Sequence, residues 1–195
     1  MNIFFTADNH FGHSGILKHC QRPFFSIEEH DEKQIKNWNN IIGRRDLIYI
    51  LGDFAWKNHN KYIGRLNGKK ILIIGSHDKM SQDCYKNFTE IHYLLTRKID
   101  EKYIVMCHYA MRSWPKSHYN SLHFYAHSHG RLIEQNLSCD VGVDIWDYKP
   151  VPWEILKKKM TDRENNLIRV FKTKEEINNI VKQNRENNLK YLYQL

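Results

Sequence analysis

The sequence predicts an α/β domain, and three observations predict it. Short apolar runs of strand length recur as far as residue 146, and each stops abruptly in polar residues. Between them lie stretches with helical spacing that open on capping residues. The chain has 195 residues, 41% of them apolar and 13% aromatic, which suits one domain with a real core.

Ile3-Phe4-Phe5 is the first run and ends in "TADNHFGH". Ser26 with Glu29 three positions on makes a capping box, and Ile35, Trp38 and Ile42 follow at helical spacing, so residues 27–42 are expected to form an amphipathic helix. "DLIYIL" (46–51) is expected as a buried strand ending in "GDF". Residues 58–66 are expected to be helical, closed by a turn at Asn67-Gly68. "KILII" (70–74) ends in "GSHD", "YIVMC" (103–107) in His108, and "LHFYA" (122–126) in "HSH". "CDVGVDIW" (139–146) is expected as the last strand, followed by a loop at Pro150 and Pro152. From Met160 the composition shifts to Asn, Lys and Glu, with a second capping box at Thr173 and Glu176 and a weak apolar stripe of Ile177, Ile180 and Val181. The expected organisation is therefore one domain over residues 1–160 and a charged helical extension, residues 161–195, packed on it.

Composition narrows the function. A net charge of +8 favours anionic partners, nucleotides and nucleic acid among them, with a solvated basic surface as the plain alternative. No run of eighteen apolar residues exists, so a membrane span is not expected. The start lacks a basic n-region and a long h-region, and is expected to be a first strand, not a signal peptide. Cys20, Cys84, Cys107 and Cys139 are scattered without a CxxC, which predicts free thiols in a reducing cytoplasm. Oligomeric state leaves no mark on the sequence. Twelve histidines are the unusual feature, because histidine is the commonest metal ligand and the usual acid–base group near neutral pH.

Those histidines fall into a pattern. Five apolar runs end, on the same side, in residues that bind metals: Asp8 and His10, then Asp53, then His77, then His108, then His127 and His129. Open α/β layers place ligands at the carboxyl ends of their strands, where loops distant in sequence converge. A lone strand-end histidine is more often structural than functional, but five such endings in succession are hard to reach by chance. In Asp-x-His and His-x-His, period-two alternation puts both side chains on one face, within reach of one ion. Carboxylate and imidazole without thiolate suit Mn, Fe, Zn or Ni. Two carboxylates and four histidines exceed the needs of one four-coordinate ion; two divalent ions sharing Asp53 would use them all. Two-metal sites clamp both oxygens of an in-line phosphoryl displacement.

Asp8-Asn9-His10, Gly52-Asp53, Gly75-Ser76-His77-Asp78, His108 and His127-Ser128-His129 together resemble, in order and spacing, the calcineurin-like metallophosphoesterase superfamily. "FGHSGILKHCQRPF" and "VGVDIWDYKPV" resemble a branch of small phosphohydrolases within it, so the likeness covers residues 1 to about 157. The resemblance implies a four-layer α/β/β/α sandwich of two packed mixed sheets flanked by helices, with a dinuclear metal site at one edge. It implies that Asp8, His10 and His129 hold a first metal, that Asp53 bridges, and that His108 and His127 hold a second, with Ser76 at the place of the family's asparagine ligand. It implies that His77 contacts the phosphate and protonates the leaving oxygen while Asp78 orients it; an acid at a helix start would look the same in sequence. Ala126 stands where the family usually has glycine. His13 is a candidate substrate contact, with an exposed loop histidine as the alternative. Arg112 and Trp114 are candidates for binding phosphate and stacking a base, against the alternative of a surface loop.

Two functional classes follow. One is a metal-dependent phosphoesterase, with manganese the foremost metal, in which a metal-bridging hydroxide attacks phosphorus and His77 acts as general acid. Its partner would be a phosphate ester: a nucleotide, a cyclic nucleotide or a nucleic-acid end. The other is a catalytically degenerate scaffold for protein interaction. His77 argues for the enzyme, since a scaffold has no use for a proton donor, and Ser76 argues mildly for the scaffold or for a weakened site.

Overall fold

The computed structural model describes residues 1–167, together with Asn179 and Lys182. Two mixed sheets face each other. The first contains the parallel strands β1 (Ile3–Thr6), β2 (Leu47–Ile50), β3 (Lys69–Ile73) and β4 (Glu90–His92), in the order β4-β3-β2-β1. The second contains β5 (Leu94–Ile99), β6 (Lys102–Cys107), β7 (Leu122–Tyr125) and β8 (Ser138–Asp140) in that order, β5–β6 antiparallel and the others parallel.

Alternation along the strands makes the layers. Phe5, Tyr49 and Ile71 lie in one cross-strand row and face the second sheet, where Ile104, Met106, Leu122 and Phe124 meet them. Phe5 stacks on Tyr49 with ring centroids 5.2 Å apart and meets Phe124 edge-on at 5.0 Å. The opposite face carries Phe4, Ile48, Ile50 and Leu72, which pack with Ile35, Trp38 and Ile63 of the helices α2 (Ile27–Ile41) and α3 (His59–Ile63). Short helices α1 (Ser14–His19) and α4 (Gln82–Tyr85) sit in the connections. Helix α5 (Trp153–Leu167) adds Trp153, Leu156 and Met160 to the core between the sheets. This is the arrangement of two packed sheets flanked by helices that the resemblance implies.

The Ser26 cap forms, its Oγ accepting from the Glu29 N–H at 3.1 Å, while the Glu29 carboxylate reaches one residue past the cap to accept from the Phe25 N–H at 2.8 Å. The last expected strand is cut short. β8 stops at Asp140 because the chain then crosses to β1, pairing Gly142 with Ala7, and turns through a 3-10 segment at Val143–Ile145. The stretch with the two prolines is not simply a loop: Val151–Pro152 forms β9, antiparallel to β1 at the sheet edge, where proline's missing donor is tolerated. Helix α5 runs through the composition change at Met160. The capping box at Thr173 and the stripe at Ile177 to Val181 lie outside the described residues. All four cysteines are free thiols. No helix among the described residues is long and apolar enough to cross a membrane.

Phe5 is wholly buried and Phe25 wholly exposed. Urea denaturation should therefore find Phe5→Ala destabilised by about 3–5 kcal/mol and Phe25→Ala by less than about 0.5 kcal/mol.

Candidate metal centre

The carboxyl ends of β1, β2, β3, β6 and β7 bring the predicted residues together. Asp8, His10 and His129 offer ligand atoms all within 4.8 Å of one another, and Asp53, His108 and His127 do the same. Asp53 joins the two groups: its Oδ2 lies 3.7 Å from His10 Nε2, 3.4 Å from His108 Nε2 and 4.0 Å from His77 Nε2. These separations are long for hydrogen bonds but suit donors around a common ion, each about 2.0–2.2 Å from it.

Close approach of the loops depends on two glycines. A Cβ on Gly52, whose φ is +91°, would lie 2.6 Å from both the Gly75 Cα and His108 Nδ1. A Cβ on Gly75 would collide with Asp53. The ligands themselves carry strain: Asp8 (φ 54°), His10 (50°), Asp53 (50°), His127 (67°) and His129 (49°) are all left-handed. Non-glycine residues seldom adopt this conformation, and it gathers at functional sites.

The donor set fits a metal. Asp8 Oδ1, His10 Nε2 and His108 Nε2 are buried with no hydrogen-bond partner. Such atoms are costly unless something else meets them. Their neighbours fix how they point. Nδ1 of His108 is 2.7 Å from the Leu51 carbonyl, so it carries the proton and leaves Nε2 with its lone pair facing Asp53. Nδ1 of His129 is held by the Asp144 carboxylate at 2.8 Å.

Electrostatics records the same crowding. Burial raises the Asp8 carboxyl to about 7. Burial would push His108 down, but the facing Asp53 carboxylate outweighs it and lifts His108 to about 9. Burial pushes His10 strongly down, with only partial relief from Asp53.

Two residues, Asp78 and Trp114, sit differently from their sequence assignments. Asp78 does not orient His77. Its carboxylate accepts from the backbone N–H groups of Asp53 (2.8 Å), Phe54 (2.9 Å) and Gly75 (2.8 Å), so it locks the β2 and β3 loops together. His77 sits half-exposed at the rim, its backbone N–H donating to Asp53 Oδ1 at 2.8 Å. Ser76 is exposed, and its Oγ donates to Asp53 at 3.1 Å. His13 lies beside His10, with their Nδ1 atoms 3.4 Å apart. Arg112 is exposed on the segment after His108. Trp114 cannot stack a base: it is buried against the His123 ring on the sheet face opposite Phe124, and its indole N–H donates to the Ser121 carbonyl.

Several supporting residues had no role assigned from sequence. Arg22, fully buried, donates through Nε and Nη2 to Asp144 at 2.8 and 2.7 Å, and to the carbonyls of Asp8 and Asn9. Burial would raise Asp144, but His129 and Arg22 outweigh it and hold it at about 2. Asp140 accepts from Ser128 Oγ and from the N–H groups of Gly130 and Gly142, which fixes the His127–His129 loop. Asp31 and Gln34 of α2 hold the β1 loop through Gly12 and Asn9. The signal for Arg22 and Asp144 lay in "HCQRPF" and "VGVDIW", stretches noted for their likeness alone.

No protein-family model matches the chain. An uncharacterized protein of Methanocaldococcus jannaschii, MJ1445, is 28% identical over 169 residues, spanning 80% of this chain and 89% of that protein. A protein of unknown function from Aquifex aeolicus, AQ665, superposes with a TM-score of 0.66 at 24% identity, covering 80% of this chain and 98% of that one. The chain shares its fold with that protein. An archaeal phosphodiesterase, 16% identical over 73% of this chain and 82% of its own, reaches a TM-score of 0.42, too distant to bear on the chemistry.

A metal bound here would have to displace protons from Asp8, at about 7, and from His108, at about 9. Titration calorimetry should find manganese affinity rising with pH between those values and flattening above about 9. Affinity that does not change with pH would contradict this electrostatic picture. Asp144→Asn keeps an acceptor for Arg22 but removes the charge behind His129. It should weaken metal binding by about 10–100-fold, measured on protein whose circular dichroism is unchanged.

Proposed function

We propose that the chain is a metal-dependent phosphoesterase of the calcineurin-like metallophosphoesterase superfamily. It hydrolyses phosphate esters of the nucleotide or nucleic-acid class at a site with two divalent cations. The observation that carries this reading is the set of buried, partnerless donors, Asp8 Oδ1, His10 Nε2 and His108 Nε2, gathered around Asp53 with a half-exposed histidine at the rim. Bound there, divalent cations would neutralise the phosphate charge and bring a water's pKa toward neutrality. Asp8, His10 and His129 would hold one ion, His108 and His127 the other, and Asp53 would serve both.

His77 supplies what the cations do not. Its ring reaches solvent while its backbone is tied to Asp53. From the rim it gives a proton to the departing oxygen, and the tie keeps it in register with the site. The tie leaves the ring itself unclamped, since Asp78 is occupied with backbone groups. Ser76 favours unequal cation sites: its short side chain points its hydroxyl hydrogen at Asp53, where an amide would offer a carbonyl oxygen.

Replacing His77 by alanine should slow hydrolysis about 10²–10⁴-fold with metal content unchanged. The loss should shrink for nitrophenyl leaving groups, which need no proton; equal losses for good and poor leaving groups would remove His77 from this role. Ser76→Asn should raise activity at limiting manganese, and identical metal dependence in the two proteins would show serine to be an adequate partner. A manganese-loaded preparation that hydrolyses no phosphate ester, mononucleotides, cyclic nucleotides and DNA ends included, would favour the scaffold.

A further inference from the structure

Two exposed aromatic rings flank the candidate centre. Trp56 follows Asp53 in "GDFAWK". Its backbone N–H donates to the Phe11 carbonyl at 2.9 Å, and Ala55 pairs with Phe11, so the indole stands on backbone joined to the β1 loop. One indole face lies on His13, with centroids 4.3 Å apart and planes 12° apart, and His77 is 5.0 Å away. The indole is nevertheless 41% exposed. Tyr109, next to His108, meets the His108 and His127 rings edge-on at 4.9 and 4.8 Å and is 48% exposed. One histidine under each ring faces the same carboxylate: Asp53 Oδ2 is 4.0 Å from His77 and 3.4 Å from His108.

Single exposed aromatics are commonplace. These two differ because each is seated on two histidines of the same centre, and one histidine of each pair faces Asp53. A flat, π-faced group would complete each seat. A phosphodiester that carries such a group on both sides is an internucleotide link. The geometry points to single-stranded nucleic acid as the substrate, its phosphodiester over Asp53, one base stacked on Trp56 on the departing side and the other on Tyr109. This rests on the esterase reading above. Hydrolysis then adds water's oxygen to phosphorus and breaks the bond to the departing nucleoside oxygen, which takes its proton from His77. The net charge of +8 suits a polyanion, and stacking without base-edge contacts tolerates any sequence. A mononucleotide would fill only one of the two seats.

Calorimetry with manganese-loaded protein tests this, using phosphorothioate-linked tetrathymidylate and an abasic tetramer of equal charge. The unaltered protein should prefer the thymidine ligand. Trp56→Ala and Tyr109→Ala should each weaken that ligand by about 5–150-fold, the range of one stacked base, and leave the abasic ligand nearly unchanged. Trp56→Phe, which keeps a flat ring, should retain most of the preference. Equal affinity of the unaltered protein for both tetramers, or losses that do not distinguish them, would overturn the proposal. A selective loss in only one variant would overturn its two-sided form. Failure of the same preparation to hydrolyse any of the phosphate esters named above, or bis(nitrophenyl) phosphate, would refute the esterase reading and leave the stacking result standing.

Discussion

One carboxylate organises the strand ends. Asp53 takes a backbone N–H from His77 and a hydroxyl from Ser76, and faces imidazole nitrogens of His10, His77 and His108. It is almost completely buried, and those partners, His108 foremost, outweigh its desolvation and keep it ionised. Donors arriving from four other strands can meet one buried carboxylate only if the loops pass almost in contact. Gly52 and Gly75 permit that approach, and Asp78 fastens it by binding both loops at the backbone.

Such a centre is unfavourable for the fold taken alone. Each partnerless buried donor costs about 1–3 kcal/mol, and residues held in sparsely populated backbone regions cost a similar amount each. The surroundings offset this. Arg22 ties two backbone carbonyls of the β1 loop to Asp144, and Asp144 in turn holds His129. Helix α2 is amphipathic in an unusual sense, because its buried side includes His30, Asp31, Gln34 and Asn37 beside Ile35 and Trp38. The apolar part packs on the sheet while the polar part supports the loops. Cations at the centre would repay the remaining cost, which makes metal binding and folding stability two views of one equilibrium.

Much of this was legible in the sequence because strands announce themselves by apolar runs and ligands by their residue types. Asp8, His10, Asp53, His108, His127 and His129 stand at strand ends in both readings. Residues that support the loops were not legible: Asp78 reads as an acid after a strand, Asp140 and Asp144 as polar positions within an expected strand, and only three dimensions distinguish a carboxylate that locks two loops from one that orients a ring. Strands β4 and β5 were missed because charged residues such as Glu90, Arg97 and Lys98 interrupt any apolar run at the sheet edges. Trp114 misled for the opposite reason. Its neighbours Arg112, Ser113 and Pro115 are exposed, yet the ring turns inward onto His123.

The proposed centre requires cations on either side of Asp53. Anomalous diffraction from crystals grown with manganese tests this most directly. Two peaks are expected about 3.5–4 Å apart, one beside Asp8, His10 and His129, and a weaker one beside His108 and His127, with Asp53 between them. No peak at Asp53 in manganese-saturated crystals, or a single ion bound away from it, would rule out a shared two-cation centre.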